Sequence, residues 1–193
     1  MKKLLILLAL SLVSFTSPQK RILFVGDSLT AYSNGWQDAV GRAMGIDYDV
    51  LARDGKRTSW MLKALEEQLA DDSEYDAVII YGGINDSFSY VNSSTTINNI
   101  QSMVDLCNRL RIKPIVVVGY NPDRVIQRTV YGGVVTKVCR DRYTVLQNKI
   151  RTNLRGCQII PMEDSINRAD SDDGIHLRAS GHRKFARWIL QNI

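Results

Sequence analysis

Five short apolar segments, separated by longer amphipathic segments, constrain the fold of this chain more than any other sequence feature. Most are continuous β-rich runs without polar alternation, which is typical of strands buried on both faces of a parallel sheet. The segments are residues 21–25, 48–52, 77–81, 115–118 and 158–160. They predict a central parallel sheet of about five strands.

The intervening segments carry apolar residues at helical spacing. Strands that alternate with helices predict an α/β protein, a three-layer α/β/α sandwich of flavodoxin-like fold with right-handed crossovers. We find no internal repeat or linker that would divide the chain into two domains. The apolar stripes are Trp36, Val40, Ala43 and Met44; Trp60, Met61, Ala64, Leu65 and Leu69; Ile97, Ile100, Val104 and Leu110; Val135, Val138, Tyr143, Leu146 and Ile150; and Phe185, Trp188, Ile189 and Leu190.

Residues 1–16 have the organisation of a secretory signal peptide. Lys2 and Lys3 precede an apolar run over residues 4–13, and small residues follow it. The run is about ten residues long, whereas spanning a bilayer takes roughly 20, so it does not predict a transmembrane helix. We expect export to the periplasm or the medium, no stable membrane anchor after cleavage, and a mature domain over residues 17–193.

The net charge of +5 does not indicate a nucleic-acid partner. Basic residues cluster near the C-terminus, but no run combines dense Lys and Arg with interleaved aromatic residues, as a nucleic-acid surface would. We interpret the cluster as the solvated face of the last helix and expect no nucleic acid to bind. Its members are Arg178, Arg183, Lys184 and Arg187.

The three cysteines do not indicate a metal site. Cys107, Cys139 and Cys157 are odd in number and include no CxxC pair. An oxidising compartment would permit one disulfide, but the spacing favours no particular pair. We expect small buried residues at these positions and no bound metal.

Polar residues that could carry chemistry follow three of the predicted strands and recur near the C-terminus. In open α/β sheets, ligands bind outside the carboxyl ends of the strands. The segments are GDSLT at residues 26–30, RDGKRT at 53–58, GGIND at 82–86 and DDGIHL at 172–177. We therefore expect the functional site within these segments.

In this order, the four segments resemble the SGNH hydrolase superfamily, also called the GDSL esterase/lipase family. The superfamily is named for a Ser, a Gly, an Asn and a His in four ordered blocks. The matching residues are Ser28, Gly55 and Asn85, followed by Asp173 and His176 in a DxxH pattern. The resemblance extends from residue 26 to residue 176, and it implies the SGNH hydrolase fold and a serine ester hydrolase that needs no cofactor.

Ser28 is the candidate nucleophile, because a serine hydroxyl beside a suitable base can attack an ester. Histidine is the natural base, and the chain has two, His176 and His182. Asp173 lies three residues before His176 and can fold back to orient its imidazole. Asp172 is an alternative orienting carboxylate, which the DxxH spacing disfavours. His182 has no similar partner nearby, so we expect a surface or capping residue there.

The resemblance also implies an oxyanion hole with three donors: the backbone N–H groups of Ser28 and Gly55 and the side-chain amide of Asn85. Glycine suits such a position, because the chain must turn its N–H towards the ligand without a Cβ in the way. We expect Asp27 and Asp86 to brace these loops rather than to take part in the chemistry.

The substrate is less constrained than the chemistry. We expect a small-molecule or glycan ester with an acetyl or other short acyl group, because short loops leave little room for a long acyl chain. Aromatic residues near the strand ends could form a wall against a sugar ring. Residues 121–133, with Arg124 and Arg128, form either a mobile substrate loop or a plain connector. The aromatic residues are Tyr32, Trp60, Phe88 and Tyr90.

Three alternative functions have to be weighed. A lysophospholipase or short-chain lipid esterase is the nearest. A non-catalytic carbohydrate-binding domain is disfavoured, because such a relative usually loses one of the four residues Ser28, Asn85, Asp173 and His176, and all four are present. A nucleotide-binding domain is disfavoured as well, because the loop at residues 26–28 lacks a GxxxxGK(S/T) or GxGxxG pattern. No sequence feature indicates an oligomeric state.

Overall fold

A computed structural model describes residues 20–127 and 132–193, and the predicted signal peptide at residues 1–16 lies outside them. In the described residues, strands alternate with helices, and a 3₁₀ turn at Arg168–Asp170 precedes the last helix. The strands are β1 (Arg21–Gly26), β2 (Asp47–Ala52), β3 (Ala77–Tyr81), β4 (Lys113–Val117) and β5 (Gln158–Ile160). The helices are α1 (Ser28–Ala31), α2 (Trp36–Met44), α3 (Thr58–Asp71), α4 (Ile84–Phe88), α5 (Ser93–Arg109), α6 (Pro122–Val125), α7 (Gly133–Asn153) and α8 (Ala179–Asn192).

The strands form one parallel sheet in the order β2-β1-β3-β4-β5. This is the strand order of the flavodoxin-like fold that the sequence predicts. Val25 near the end of β1 pairs with Leu51 of β2 on one side and with Ile80 of β3 on the other. The carboxyl ends of β1 and β3 therefore border the crevice in which sheets of this order bind ligands.

Helices flank the sheet in two layers. In one layer α3 packs against α5 and α5 against α7, and in the other α2 packs against α8. An aromatic cluster joins the second layer to the sheet. The ring of Trp36 in α2 lies 5.4 Å from that of Phe24 in β1 and 5.4 Å from that of Phe185 in α8. Edge-to-face rings at this separation stabilise a core beyond the apolar area that they bury.

The five predicted strands are confirmed, with small shifts in their bounds. Burial on both faces is wrong for β2, which is partly or fully exposed along its length. The reason is its place at the edge of the sheet, where it has one neighbouring strand, β1. The central strands β1 and β3 are buried almost throughout.

Most residues of the predicted apolar stripes are buried, but the positions at the helix ends are not. Ala43 and Met44 lie in the last turn of α2 and are exposed. Leu110, where α5 ends, and Val135, in the first turn of α7, are exposed as well. Helix ends reach beyond the sheet that they cover, so an apolar pattern overestimates burial there.

Cys107 and Cys139 are buried and Cys157 is partly buried, and all three are free thiols.

The longest helices among the described residues are α5 and α7. Across the part of the chain that the structure describes, no helix is both long and apolar enough to cross a membrane.

Candidate active site

The turn after β1 presents Ser28 at the carboxyl end of the sheet. Asp27 caps helix α1, because its Oδ1 accepts the N–H of Leu29 at 3.0 Å, and Ser28 is the first residue of that helix. The strands are so close here that a Cβ on Gly26 would lie 2.7 Å from a backbone oxygen of β3. Trp36 Nε1 donates to the carbonyl of Leu29 at 2.8 Å. The turn is therefore held by both the sheet and α2.

A loop between the 3₁₀ turn and α8, residues 171–177, brings a histidine to this serine. We call it the acid–base loop. His176 Nε2 lies 2.9 Å from Ser28 Oγ, and His176 Nδ1 lies 2.7 Å from Asp173 Oδ2. Asp173 Oδ1 also accepts the backbone N–H groups of His176 at 2.8 Å and Ile175 at 2.9 Å. The carboxylate favours the tautomer in which Nδ1 carries the proton and Nε2 accepts the serine hydroxyl.

Two hydroxyl groups that the sequence analysis did not identify hold the acid–base loop in place. Ser171 Oγ donates to the carbonyl of His176 at 2.8 Å and accepts the N–H of Gly174 at 2.9 Å. Tyr120, which is fully buried after β4, donates its hydroxyl to the carbonyl of Ile175 at 2.8 Å. The loop that carries His176 is thus fixed from its own start and from the sheet.

The three residues expected at the oxyanion hole line one cleft beside Ser28. Asn85 lies in the first turn of α4, and its Nδ2 donates to the carbonyl of Lys56 at 3.0 Å. A primary amide has two N–H donors, so one remains for a ligand. Gly55 has a φ of 69°, a left-handed conformation that favours glycine.

Asp86 connects the loops that carry Gly55 and Asn85. It is buried, and its carboxylate accepts the backbone N–H of Thr58 at 2.9 Å and the Thr58 hydroxyl at 2.6 Å. The hydroxyl of Thr96 in α5 donates to it at 3.3 Å. Because Thr58 is the first residue of α3, this carboxylate ties the start of α3 to α4 and α5, the bracing function expected of Asp86.

Two aspartates near Ser28, Asp27 and Asp173, have carboxyl groups whose pKa values are shifted in opposite directions. Asp27 is fully buried, and burial raises its pKa from 3.8 to about 7. The N–H of Gly83 faces this carboxylate, but the Asp27 Oδ2 lacks a hydrogen-bond partner among the described residues. Burial alone would also raise the pKa of Asp173, but hydrogen bonds from the backbone and ring of His176 and from Ile175 N–H hold that pKa below its ordinary value.

The prediction that His182 is a surface or capping residue is wrong. Its side chain is buried, with 7% of its surface exposed, and it lies in the first turns of α8. Neither ring nitrogen has a hydrogen-bond partner among the residues described, and burial lowers the pKa of His182. The ring of His182 lies 5.6 Å from that of Tyr32, and the ring of Tyr32 lies 6.4 Å from that of His176. The alternative carboxylate, Asp172, pairs with Arg178 at 2.8 Å instead of with His176.

The cleft beside Ser28 has a volume of about 450 Å³. Of the four aromatic residues expected near the site, Phe88 lines this cleft and Tyr32 lies beside it, with its ring centre 6.4 Å from that of His176. Trp60 lies 6.0 Å from the ammonium of Lys56, and Tyr90 lines a second cleft. The residues lining the cleft beside Ser28 are Ser28, Asp54, Gly55, Ile84, Asn85, Phe88, Ser89, Val135, Ile175 and His176.

The segment over residues 121–133 is only partly described. Asn121 caps α6, whose four residues include Arg124, and α7 begins at Gly133. Arg128 lies outside the described residues.

Within residues 20–127 and 132–193, no group of three or more His, Cys, Asp or Glu side chains could hold a metal ion.

The supporting residues that sequence reasoning missed are Thr58, Tyr120 and Ser171. Thr58 ends the RDGKRT segment and Ser171 directly precedes the DDGIH segment, so both had a local signal. The partners of Tyr120 and Thr58 lie 55 and 28 residues away, and no local pattern indicates such pairs.

The sequence profile of the GDSL-like lipase/acylhydrolase family matches residues 24–184. The chain belongs to this family. A GDSL-like lipase/acylhydrolase is a carboxylic ester hydrolase, so the protein is an enzyme of that class. The match includes the turn that carries Ser28, the acid–base loop and the strands between them.

Solved structures of other proteins have the same fold. A GDSL-like lipase from Bacteroides thetaiotaomicron is 19% identical, with a TM-score of 0.65 over 89% of this chain and 86% of that protein. A lipase/acylhydrolase from Enterococcus faecalis is 21% identical, with a TM-score of 0.59 over 89% and 94%. An acetyl xylan esterase is 16% identical, with a TM-score of 0.60 over 90% and 99%. No curated protein sequence matches this GDSL-like chain significantly.

Proposed function

We propose that this protein hydrolyses short-chain esters, principally acetyl esters on a carbohydrate, with Ser28 as nucleophile, His176 as base and Asp173 as the carboxylate that orients the base. One observation carries the proposal. The hydroxyl of Ser28, the two ring nitrogens of His176 and the carboxylate of Asp173 form a continuous chain of hydrogen bonds, 2.9 and 2.7 Å long. Such a chain is what a serine needs in order to act as a nucleophile.

In the first step, Ser28 Oγ attacks the carbonyl carbon of the ester while His176 Nε2 takes its proton. The carbonyl oxygen becomes an oxyanion, which the N–H groups of Ser28 and Gly55 and the amide of Asn85 stabilise. The bond from carbon to the alcohol oxygen then breaks, and His176 Nε2 gives its proton to the leaving alcohol. Asp173 stabilises the imidazolium that exists between these two proton transfers.

In the second step, water attacks the acyl group on Ser28. His176 Nε2 takes a proton from this water, and the oxyanion forms again in the same place. The bond to Ser28 Oγ breaks, the proton returns to the serine and the carboxylic acid departs. Each proton taken up is returned, so the mechanism needs neither a metal ion nor an organic cofactor.

The lining of the cleft supports a short acyl group and a polar alcohol. Ile84 and Phe88 supply apolar surface in a volume of about 450 Å³, while Asp54 and Ser89 supply polar groups that suit the hydroxyls of a sugar. A solved structure with the same fold is an acetyl xylan esterase. The family assignment alone is equally compatible with the alternative, a lipid esterase.

The experiment that tests the proposal follows release of p-nitrophenol from acetyl, butyryl and octanoyl esters by the mature chain and by its Ser28→Ala variant. We expect the fastest hydrolysis of the acetyl ester and a loss of at least about 10⁴-fold in the variant. A fluorophosphonate probe should label wild type at Ser28, identified by peptide mass. The exposed Ser33 provides a matched Ser33→Ala control that should keep both activity and labelling.

Two further substrates separate the glycan ester from the lipid alternative. Acetylated xylan and a lysophosphatidylcholine are offered to the same two proteins. Release of acetate from the xylan, dependent on Ser28, supports the glycan ester. Release of fatty acid instead identifies a lysophospholipase. Equal background in wild type and variant, without labelling, would leave a binding domain and contradict the mechanism.

We also propose that residues 1–16 direct export of a mature domain over residues 17–193. The support is the order of Lys2, Lys3 and the apolar run at residues 4–13. Expression of the full chain followed by cell fractionation and N-terminal sequencing tests it. A chain that stays in the cytoplasm with Met1 intact would contradict export.

A further inference from the structure

A second cleft, of about 420 Å³, lies between α4, α5 and α7 and has no part in the mechanism described above. Apolar surface from Val145 and Leu146 contributes to its lining. The other lining residues are the apolar Val91 and the polar or aromatic Ser87, Tyr90, Asn92, Ser93, Thr96, Asp141 and Arg142. The second cleft is thus an amphipathic surface with planar polar groups, not a purely apolar groove.

Tyr90 is the most unusual residue of the second cleft. Its side chain is 61% exposed, the largest exposure among the large hydrophobic residues described. Its backbone has a φ of 57°, in the left-handed region that a bulky side chain rarely adopts. A turn at this point would form more easily with glycine. Strained residues of this kind cluster at binding sites, where the fold holds a side chain in a useful position.

Arg142 of α7 holds Tyr90 in that position. Its guanidinium carbon lies 5.3 Å from the centre of the Tyr90 ring. The guanidinium itself is fixed, because Nε donates to the carbonyl of Ser87 at 3.2 Å and Nη2 to the carbonyl of Val91 at 2.5 Å. A stacked arginine and two carbonyl contacts on either side of Tyr90 preorganise the aromatic ring.

The second cleft and the cleft beside Ser28 are lined by neighbouring residues of one short chain segment. Phe88 and Ser89 line the cleft beside Ser28, while Ser87 and Tyr90, their immediate neighbours in the chain, line the second cleft. The two clefts therefore border the same short segment, residues 87–90, and a polymer that leaves the cleft beside Ser28 over this segment would meet Tyr90.

We propose that the second cleft is a subsite for the neighbouring sugar units of the glycan whose ester is cleaved at Ser28, with Tyr90 as the surface on which a sugar ring stacks. The proposal rests on the proposed function. A sugar ring presents a face of C–H groups that packs on an aromatic ring, and its adjacent hydroxyls pair with planar side chains such as Arg142, Asp141 and Asn92. An acyl chain would desolvate these groups without replacing their hydrogen bonds.

The test begins with binding, which does not depend on activity. Unacetylated xylotetraose and cellotetraose are titrated into Ser28→Ala protein and into the same protein with Tyr90→Gly or Tyr90→Phe added. Glycine suits the backbone at residue 90, so this variant removes the ring without straining the fold. We expect at least one tetrasaccharide to bind and Tyr90→Gly to weaken it about 2- to 12-fold. Tyr90→Phe, which keeps the ring, should restore most of the affinity.

The second measurement is the ratio of kcat/KM on an acetylated tetrasaccharide to kcat/KM on the acetylated monosaccharide. We expect the wild-type ratio to be well above one and to fall in Tyr90→Gly by the same factor as the affinity. The subsite proposal would be overturned if neither tetrasaccharide binds, or if Tyr90→Gly leaves the binding unchanged. If Tyr90→Gly instead lowers hydrolysis of p-nitrophenyl octanoate relative to the acetate, the second cleft holds an acyl chain and the proposal is wrong.

The two proposals fail in distinguishable ways. Absence of Ser28-dependent hydrolysis of p-nitrophenyl acetate contradicts the proposed mechanism, whether or not the tetrasaccharides bind. Normal hydrolysis of that ester, with no effect of residue 90 on sugar binding, contradicts only the subsite.

Discussion

The turn after β1 and the acid–base loop each bring an aspartate to the site, and the two are held in opposite ways. Asp27 is fully buried; its Oδ1 accepts the N–H of Leu29, and the N–H of Gly83 faces its carboxylate. Asp173 is partly exposed and accepts three hydrogen bonds, two from backbone N–H groups and one from the ring of His176. Burial raises the pKa of Asp27 to about 7, whereas the hydrogen bonds hold the pKa of Asp173 below its ordinary value.

Under the proposed mechanism, this difference distinguishes a carboxyl group that braces a turn from a carboxylate that stabilises an imidazolium. A group that must stabilise an imidazolium has to remain charged at the working pH, and hydrogen bonds to its charged form achieve this. A group that only caps a short helix beneath the nucleophile can share a proton near neutral pH. We infer that proximity to Ser28 alone does not make Asp27 part of the chemistry.

The largest effect we expect is on activity. Asp173→Asn should lower kcat by about 10⁴-fold, because an amide cannot stabilise the imidazolium and favours the wrong tautomer of His176. Asp27→Asn should lower kcat less than about tenfold, because its amide oxygen still accepts the N–H of Leu29. Both variants are assayed on p-nitrophenyl acetate at one pH. A loss at Asp27 as large as that at Asp173 would remove the distinction between the two.

The next effect is on the pH dependence of stability. The folded pKa of Asp27, about 7, lies above the ordinary value of 3.8, so the folded state binds the proton more tightly than the unfolded state. Its stabilising contribution is therefore present at low pH and is lost as the pH rises through about 7. Linkage gives a difference of about 3 kcal/mol between pH 5 and pH 8, which Asp27→Asn should remove. Urea unfolding at the two pH values measures it.

Asp72 provides the control for this measurement, because its sign is opposite and its partner, Arg21, stays charged between pH 5 and pH 8. The folded pKa of Asp72 is lowered, so its contribution is present above the unfolded pKa and is lost only as the pH falls through the folded value. Asp72→Asn should therefore leave the change in stability between pH 5 and pH 8 as in wild type. Equal slopes in wild type and Asp27→Asn would show that Asp27 is ionised throughout that range.

The acid–base loop depends on hydrogen bonds that the turn after β1 does not need. Tyr120→Phe removes the donor to the buried carbonyl of Ile175, and an unsatisfied buried carbonyl costs about 1–3 kcal/mol. We expect that loss in the free energy of unfolding together with a fall in kcat, because Ile175 directly precedes His176. Tyr75→Phe is the matched control. Tyr75 lies just before β3, away from the acid–base loop, and donates its hydroxyl to Asp49 of β2. It should lower stability without lowering kcat.

The same two regions show what can be predicted from sequence. The strands and the blocks that carry Ser28, Asn85 and His176 were predictable, because periodicity and short motifs are local. The burial of His182 was not predictable, because it depends on α8 packing against α2 and on Tyr32, both distant in the chain. The contact between Tyr120 and the acid–base loop is missing from the sequence analysis for the same reason.

The smallest effect tests whether burial keeps the imidazole of His182 neutral, as it favours the neutral form of Asp27. Burial lowers the pKa of His182, against the carboxylates of Asp172 and Asp38. The unfolded chain therefore binds a proton that the folded protein excludes, and stability is lost as the pH falls below about 6.5. His182→Leu should remove this loss, at most about 1.4 kcal/mol per pH unit, measured by urea unfolding at pH 5 and pH 7. Loss of the ring contact with Tyr32 lowers the free energy of unfolding equally at pH 5 and at pH 7. Parallel pH curves for wild type and variant would mean that His182 accepts its proton in the folded state.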